Sequence, residues 1–231
     1  EGSTFDYCFT IEVSGKKYEI SPAALAEALL PLIFPSLPLS DTNIFFDITG
    51  STGVDAGMDL GLKALRSRKN FASFLGAFHG RHRSRDLTCS NQIQRKDYLQ
   101  AVHTDHLPFP DSPEKFKAAI EALNFIPLKN VNTMWMEYLQ GEGGYRWPDI
   151  DLLDKLMLIL RKEGILLAFD EIQSGLYRTG KCFAFQHGKV IPDIVVVGKA
   201  LGGGSVPISA VAYKKAIFDG NTLEPGWYSG T

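Results

Sequence analysis

The stretch that decides the fold is Ile165-Leu-Leu-Ala-Phe-Asp-Glu-Ile-Gln173, an apolar run that ends abruptly in polar residues. A second run of the same kind, Ile194-Val-Val-Val-Gly-Lys199, follows it. Continuous apolar runs of this length are typical of strands that are buried on both faces, as in parallel sheets covered by helices. The two runs therefore predict an α/β fold with a mainly parallel sheet and helices on both faces.

Amphipathic helical patterns alternate with these runs. Ser112-Pro113-Glu114 has the composition of a helix start, with Ser as N-cap and Pro in the first turn. Apolar residues at positions 152, 153, 156, 157 and 160 predict another helix over Asp151–Glu163. Gly164 follows directly and is expected to end that helix, since glycine adopts the left-handed conformation at low cost.

Three further segments complete the pattern. Asn43–Ile48 predicts a strand that leads into a Gly-rich turn and a helix ending near Arg66. Thr133–Leu139 predicts another strand. Ala24–Leu37 is apolar apart from Glu27 and predicts a buried helix. Strands that alternate with helices along a chain are typical of α/β domains.

The composition is that of an ordinary globular domain. Of 231 residues, 45% are hydrophobic and 22% are charged, and the formal net charge is −2. The length fits one domain, and the near-neutral charge gives no reason to expect nucleic acid or an anionic membrane as a partner. No apolar run reaches the ~18 residues of a membrane-spanning helix, and no secretion signal is recognised.

The cysteines and histidines have no metal-binding pattern. Cys8, Cys89 and Cys182 are far apart and form no CxxC pair, and the five histidines show no ligand spacing. We therefore expect neither a disulfide framework nor a metal site. An odd number of isolated cysteines favours a cytoplasmic, reducing environment.

Polar residues directly follow three of the predicted strands. Asp170–Gln173 comes after the first apolar run, Gly198-Lys199 after the second, and Thr49–Thr52 after the strand Asn43–Ile48. Ligands of α/β sheets bind beyond the carboxyl ends of the strands. An acid, a lysine and a Gly/Ser/Thr turn are therefore expected at one edge of one sheet, a combination that suits pyridoxal 5'-phosphate (PLP).

Each of these residue types has a physical role toward that cofactor. A lysine amine can form an imine with the aldehyde of PLP and then transfer protons, provided that a desolvated site lowers its pKa. An aspartate against the pyridine nitrogen keeps that nitrogen protonated, so that the ring accepts electrons. A Gly-Ser turn at a helix start offers N–H groups to the phosphate. Taken singly, each of these residues is more often structural, so only the combination is informative.

Five motifs carry a resemblance to a known family. They are Thr49–Ala56 (TGSTGVDA), Ala77–Arg81 (AFHGR), Glu137–Gly144 (EYLQGEGG), Phe169–Gly180 (FDEIQSGLYRTG) and Pro192–Gly204 (PDIVVVGKALGGG). In this order they resemble the class III (ω-amino acid) aminotransferases, which are fold-type-I PLP enzymes and include the ornithine, acetylornithine and 4-aminobutyrate aminotransferases. The resemblance extends from about residue 43 to the last residue, whereas residues 1–40 match only loosely.

The resemblance implies how the cofactor ring is held. Lys199 would be the Schiff-base lysine and the catalyst of the proton transfer. Asp170 would pair with the pyridinium nitrogen, and Gln173 would hydrogen-bond the 3-oxygen of the ring. Phe78 would stack on the ring, with His79 beside it.

The same resemblance implies how the phosphate and the substrate are bound. Gly50 and Ser51 would hold the phosphate, and Thr231 would reach the phosphate of the partner subunit. Glu137 would line the substrate site. Glu142 would pair alternately with an arginine so that both substrates are accommodated.

The resemblance also implies the reaction and the assembly. The chain would be an aminotransferase that moves an amino group from an amino acid, such as ornithine, acetylornithine or 4-aminobutyrate, to a 2-oxo acid. It would work as a homodimer with active sites at the subunit interface. Residues 41–231 would form the PLP-binding large domain and residues 1–40 a separate N-terminal segment. The C-terminal small domain, with the arginine for the substrate carboxylate, would be absent.

Several positions depart from the family pattern. Thr52 stands where the family has glutamate, and Tyr138 where it has proline. Gly53, Gly57 and Gly61 stand where alanine is common, and each glycine costs a helix about 0.5–1 kcal/mol relative to alanine. Their i, i+4, i+8 spacing predicts that this helix face packs closely against a neighbour.

Other functions stay open at the level of the sequence. A racemase or decarboxylase on the same scaffold would use the same Lys199 and Asp170, although only transamination needs a 2-oxo acid. A non-catalytic scaffold that keeps the fold is favoured by Thr52 and by the missing C-terminal domain. A hydride-transfer enzyme is less favoured, because no dinucleotide-binding fingerprint follows a strand.

Overall fold

Nine strands and four helices make up residues 9–90 and 99–218, the part of the chain that the structure, a computed structural model, describes. The strands are β1 (Phe9–Val13), β2 (Lys16–Ile20), β3 (Thr42–Asp47), β4 (Asn70–Phe74), β5 (Thr104–Leu107), β6 (Val131–Met136), β7 (Leu166–Asp170), β8 (Ile194–Val197) and β9 (Ser209–Lys214). The helices are α1 (Pro22–Ile33), α2 (Gly50–Ala64), α3 (Pro113–Leu123) and α4 (Ile150–Lys162). None of these helices is long and apolar enough to cross a membrane.

Seven of the strands form one sheet in the order β3-β9-β8-β7-β6-β4-β5. Strands β5, β4, β6, β7 and β8 pair in parallel, whereas β9 runs antiparallel to both of its neighbours, β3 and β8. Because β3 and β8 are both antiparallel to β9, they run in the same direction as each other. The predicted, mainly parallel α/β sheet is confirmed, and the segments that follow β3, β4, β6, β7 and β8 all leave at the same edge.

Successive residues of the central strands face two apolar cores, one on each face of the sheet. In β6, Met134 and Met136 belong to a core shared with α1, α3 and α4. Trp135, between them, belongs to the second core, together with Val54 and Met58 of α2. All residues of β6 and β8 are buried, which explains why β8 is apolar without alternation. The prediction of helices on both faces is therefore confirmed.

Two helix ends follow the local signals in the sequence. Ser112 caps α3, since its hydroxyl accepts a hydrogen bond from the N–H of Lys115 at 3.3 Å. Helix α4 ends at Lys162, and Gly164 follows shortly afterwards at φ +71°. That left-handed conformation is cheap for glycine and costly for other residues, so the predicted role of Gly164 is confirmed.

The glycine face of α2 lies directly on the sheet, as its spacing predicted. A Cβ at Gly57 would lie 2.6 Å from Cη2 of Trp135, and one at Gly53 would lie 2.8 Å from Oγ of Ser209. A Cβ at Gly61 would clash with polar side chains of β6. Helix α2 therefore lies closer to the sheet than alanines at these positions would permit.

The predicted boundaries of the first helix were wrong. Helix α1 spans Pro22–Ile33 and not Ala24–Leu37. Phe34 leaves the helical conformation at φ −123° and ψ 65°, because a proline at the next position, Pro35, disfavours helical geometry in the residue before it. The helix is also only partly buried, and its buried residues are Leu29, Leu30 and Ile33.

A β-hairpin precedes α1 and was not predicted. Strands β1 and β2 pair antiparallel as a separate two-stranded sheet. Ser14 and Gly15 connect them, both at positive φ (52° and 77°), as in the tight turns that match the twist of a hairpin. Strand β6 spans Val131–Met136 and not Thr133–Leu139, so the predicted strand was shifted toward the C-terminus at both ends.

Candidate active site

A cavity of about 210 Å³ opens at the sheet edge where β3, β4, β6, β7 and β8 end. It is formed by segments that are far apart in the sequence. Eight of the predicted site residues line it: Gly50, Ser51, Phe78, His79, Glu137, Asp170, Gln173 and Lys199. The structure thus places the predicted acid, lysine and Gly-Ser turn around one space.

Asp170, the last residue of β7, is held by two hydrogen-bond donors. Its Oδ2 lies 2.9 Å from Nδ1 of His79, and its Oδ1 accepts the N–H of Ile172 at 3.1 Å. Because a carboxylate only accepts, Nδ1 of His79 carries the proton that is donated. Asp170 and His79 are 5% and 1% exposed, so water hardly weakens this bond. The orientation of the aspartate is therefore fixed before any ligand binds.

Lys199 follows β8 after a single glycine and has an unusual backbone conformation. Its φ is +43°, a region that residues other than glycine rarely adopt and that is concentrated at functional sites. Lys199 is one of the residues that line the cavity, but it is exposed rather than desolvated. A Cβ at Gly198 would meet Cγ2 of Ile172 at 3.3 Å, so the backbone of this turn lies close to the segment after β7. Lys199 and Asp170 thus approach one cavity from neighbouring strands.

The turn after β3 begins α2 and forms another part of the cavity wall. The hydroxyl of Thr49 accepts the N–H of Thr52 at 3.2 Å, and the hydroxyl of Thr52 accepts the N–H of Thr49 at 3.1 Å. The Thr52 hydroxyl also lies 2.8 Å from Oδ1 of Asp47, at the end of β3. The N–H groups of Gly50 and Ser51, in the first helical turn, have no acceptor within the helix. Such a helix start is a suitable anion site.

Gly80 brings the loop after β4 against this turn. It has φ +134°, and a Cβ there would clash with Ser84 and lie 2.8 Å from Oγ of Ser51. The hydroxyl of Ser51 accepts the N–H of Arg81 at 3.3 Å. The guanidinium of Arg81 lies 6.0 Å from the centre of the Phe78 ring. The two segments together form a concave wall with a cation close by.

Glu137 follows β6 and connects two backbone segments of the site. Its Oε2 accepts the N–H of Phe78 at 2.8 Å, and its Oε1 accepts that of Gly141 at 3.4 Å. Burial raises the pKa of Glu137 to about 7; His79 opposes this rise, and the charge of Asp170 adds to it. This carboxyl group can therefore take up or release a proton near neutral pH inside the cavity.

Three of the predicted site residues have different outcomes. Gln173 lines the cavity and lies against Gly141, where a Cβ would clash with the Gln173 amide. Glu142 is exposed and does not line the cavity, so its role stays a prediction. Thr231 lies outside the described residues. Within residues 9–90 and 99–218, no group of three or more His, Cys, Asp or Glu residues is placed to hold a metal ion.

Three further lining residues were not predicted individually: Thr49, Gly80 and Ile172. All three stand inside quoted motifs, but the motifs do not say which residues face the cavity. Glu171 illustrates the difficulty. It lies between two lining residues, yet its carboxylate binds Ser174 and the backbone of Ala184 away from the cavity.

Comparison with known proteins identifies the family of the chain. Residues 12–231 match the family model of the class-III aminotransferases, and the chain belongs to this family. It is 32% identical over 231 residues to a leucine/methionine racemase of Thermococcus litoralis, covering 94% of this chain and 49% of that protein. It is also 32% identical over 215 residues to an acetylornithine aminotransferase of Methanopyrus kandleri, covering 93% and 51%. The chain thus spans about half the length of the curated relatives it matches.

Solved structures share the fold. An aminotransferase of Bacillus anthracis superposes with a TM-score of 0.79 at 23% identity, covering 90% of this chain and 50% of that one. An amine transaminase from an uncultivated Pseudomonas species, solved in a PLP-bound form, superposes with a TM-score of 0.73 at 23% identity, covering 84% and 48%. The expected fold of fold-type-I PLP-dependent transferases is therefore confirmed.

Proposed function

We propose that this chain is the cofactor-binding part of a PLP-dependent aminotransferase, with Lys199 as the residue that holds the cofactor. The observation that carries the proposal is the convergence of Lys199, Asp170 and the start of α2 on one cavity. These groups suit three different parts of PLP: an amine for the aldehyde, a carboxylate for the pyridine nitrogen and an anion site for the phosphate. Membership of the class-III family supports the same assignment.

The other lining residues fit a flat, charged heteroaromatic molecule. Phe78 and Ile172 supply apolar surface for a ring, and the amide of Gln173 can donate to a ring oxygen. A Cβ at Gly50 would lie 2.8 Å from Ile172, and one at Gly80 would clash with Ser84 and lie 2.8 Å from Ser51. Glycine at both positions therefore lets the segments around the proposed phosphate site approach each other closely. When bound, PLP supplies an electron-accepting ring that weakens a C–H bond of the attached substrate.

The residues of the chain would supply binding, orientation and proton transfer. The negative charge of Asp170, oriented by His79, would stabilise a protonated ring nitrogen. The Nζ atom of Lys199, once the substrate amine has replaced it, would take the proton from the substrate carbon and deliver it to the acceptor carbon. Glu137 would hold the backbone N–H of Phe78, the residue proposed to stack on the ring.

The substrates and the assembly are part of the proposal. The amino donor would be an amino acid, with ω-amino acids such as ornithine, acetylornithine and 4-aminobutyrate as first candidates, and the acceptor would be a 2-oxo acid. The relative named acetylornithine aminotransferase supports this choice. Glu137 and Glu142 would contact the substrate, and a homodimer would let Thr231 reach the partner's phosphate site. A cytoplasmic location is supported by Cys89 and Cys182, which are free thiols.

Borohydride reduction tests the cofactor assignment. The full-length protein is incubated with PLP, reduced and digested, and mass spectrometry locates the adduct. We expect a single adduct on the peptide that contains Lys199. The variant Lys181→Ala, which changes an exposed lysine, should keep the adduct. An adduct on a different lysine, or none in the intact protein, would contradict the proposal.

A second function is favoured by one specific observation, the 32% identity to a leucine/methionine racemase. Racemisation would use the same lysine and aspartate, but it returns the proton to the carbon from which it came and needs no acceptor. Incubation of the protein with an amino acid, with and without 2-oxoglutarate, separates the two. Transamination predicts more than one equivalent of product per protein only with the 2-oxo acid, whereas catalytic appearance of the opposite enantiomer without it would identify a racemase.

A further inference from the structure

A large aromatic side chain lies next to the His79–Asp170 pair, on the face of the sheet that α2 covers. Trp135, in the middle of β6, is fully buried. The centroids of its ring and the imidazole of His79 are 6.1 Å apart, and the planes make an angle of 62°. This is an edge-to-face contact of the kind that aromatic pairs prefer. Trp135 therefore packs against the residue that donates to Asp170.

Gly57 is the position that admits so large a side chain. A Cβ at this position would lie 2.6 Å from Cη2 of Trp135, which is too close for a real carbon atom, and 3.1 Å from Cζ2, which is unusually tight. The indole thus contacts the backbone of α2 on one side and the imidazole of His79 on another. In a close-packed interior, a displacement of helix α2 at Gly57 is transmitted through the indole of Trp135 to the imidazole of His79.

The packing of Trp135 against His79 determines which ring nitrogen of His79 carries the proton. Nε2 of His79 and Nε1 of Trp135 are both buried and have no hydrogen-bond partner among the described residues. A proton on Nε2 would be a buried donor without an acceptor beside an indole that offers only another donor. The proton is therefore best placed on Nδ1, toward Asp170, as long as the ring keeps its orientation.

We propose that Trp135 is a positioning residue that keeps the imidazole of His79 in the orientation and tautomer in which Nδ1–H donates to Asp170. Gly57 is required because it makes room for the indole. The consequence for the ring nitrogen of a cofactor rests on the proposed function, whereas the effect on His79 does not. Trp135 touches neither cofactor nor substrate in this scheme and acts only through His79.

Nitrogen-15 NMR of the histidine side chains tests this directly in the full-length protein without added PLP. The variant His79→Asn identifies the His79 signals among the five histidines. We expect a single tautomer with the proton on Nδ1. In Gly57→Ala and in Trp135→Phe, the His79 signals should move toward a mixture of tautomers. The Kd for PLP should rise about tenfold, the scale expected when a hydrogen bond to a charged group is lost.

Matched variants separate positioning from general packing. Gly53→Ala places the same methyl group on the same helix face, but against Ser209 and Val196. It should lower stability without changing the His79 signals. The double variant Gly57→Ala/Trp135→Phe, in which a smaller ring makes room for the methyl group, should restore the single tautomer.

One result would overturn the positioning role of Trp135, and a different result would overturn the proposed function. Unchanged His79 signals in both Gly57→Ala and Trp135→Phe, with lowered stability, would show that Trp135 is only a core residue and would overturn the proposal. If the His79 signals respond as expected but the unsubstituted protein binds no PLP, the positioning role stands and the proposed function fails.

Discussion

Nδ1 of His79 and Oδ2 of Asp170 lie 2.9 Å apart although the residues are 91 positions apart in the chain. His79 belongs to the loop after β4 and Asp170 ends β7, so the hydrogen bond spans the end of β6, which lies between these strands. The bond joins the proposed partner of the ring nitrogen to the loop that carries Phe78. A change at either residue should therefore alter both the charge and the shape of the cavity.

Asp170→Asn tests the charge. An amide keeps the size of the side chain but cannot stabilise a protonated ring nitrogen, so we expect turnover to fall by about 10³-fold, within the range of proton-transfer catalysis. The control is Asp154→Asn, which changes another buried aspartate that accepts the N–H of Lys189 at 2.8 Å. It should affect stability but not the rate per folded molecule, as measured by steady-state kinetics and thermal unfolding. Equal rates for Asp170→Asn and the unsubstituted protein would refute the role of Asp170.

Lys199→Ala and Lys199→Arg test the amine. Neither side chain can form an imine, and arginine keeps the positive charge. We expect both variants to lose the visible absorbance of the cofactor complex and at least about 10³-fold of the turnover. If Lys199→Arg kept either the visible absorbance or the turnover, a positive charge at this position would be sufficient, contrary to the proposal.

Gly80→Ala tests the wall of the phosphate site. The new methyl group would clash with Ser84 and lie 2.8 Å from Oγ of Ser51, so the turn must move. We expect PLP to bind about tenfold or more weakly, since hydrogen bonds to a charged group are lost. Gly180→Ala is the matched control, because Gly180 has φ +90° and nothing within 4 Å of a Cβ. It should cost only the strain of the left-handed backbone, about 1–2 kcal/mol, with PLP titration unchanged. A similar loss of PLP affinity in both variants would exclude a specific role for Gly80.

The raised pKa of the buried Glu171 carboxyl group predicts that the free energy of unfolding depends on pH. Burial raises its pKa to about 7 from 4.5, while hydrogen bonds from Ser174, Ala184 and Phe185 oppose the rise. The folded state therefore binds this proton more tightly than the unfolded state. Its contribution to the free energy of unfolding is fully present below about pH 4.5 and is lost as the pH rises to about 7. The shift corresponds to about 3 kcal/mol.

Glu171→Gln removes this ionisation. Urea unfolding between about pH 4.5 and 7 should show a smaller loss of stability with rising pH than in the unsubstituted protein, by about 3 kcal/mol over the interval. Glu163→Gln, at an exposed position after α4, should leave the slope unchanged. An identical slope in Glu171→Gln would mean that this carboxyl group does not titrate in the window.

Much of the fold could be predicted because its signals are local. The apolar runs of β7 and β8, the cap at Ser112 and the glycine after α4 each depend on a few neighbouring residues. The first helix was misplaced at its end because Pro35 competed with an apolar pattern that continues past it. The hairpin β1–β2 was missed, although Ser14-Gly15 between two short strands is a turn signal.

The candidate site could be predicted only in part. Residues that follow strands were found by their position, since the carboxyl ends of parallel strands meet at one edge. The partners of those residues were not, because hydrogen bonds across the sheet depend on which loops meet in space. The bond between His79 and Asp170, and the support that Glu137 gives to Phe78, are of this kind.

The order of the residues alone determined the alternation of strands and helices, the mainly parallel character of the sheet and the motifs that place a lysine and an aspartate after two strands. The antiparallel strand β9 was not predicted. Only the tertiary structure decided that Trp135 fits against Gly57 and His79, and that Thr52 holds its turn to Asp47. The physical reason is range: periodicity and capping act over a few residues of chain, whereas side-chain packing and buried hydrogen bonds act over a few ångströms of space between segments that the sequence separates.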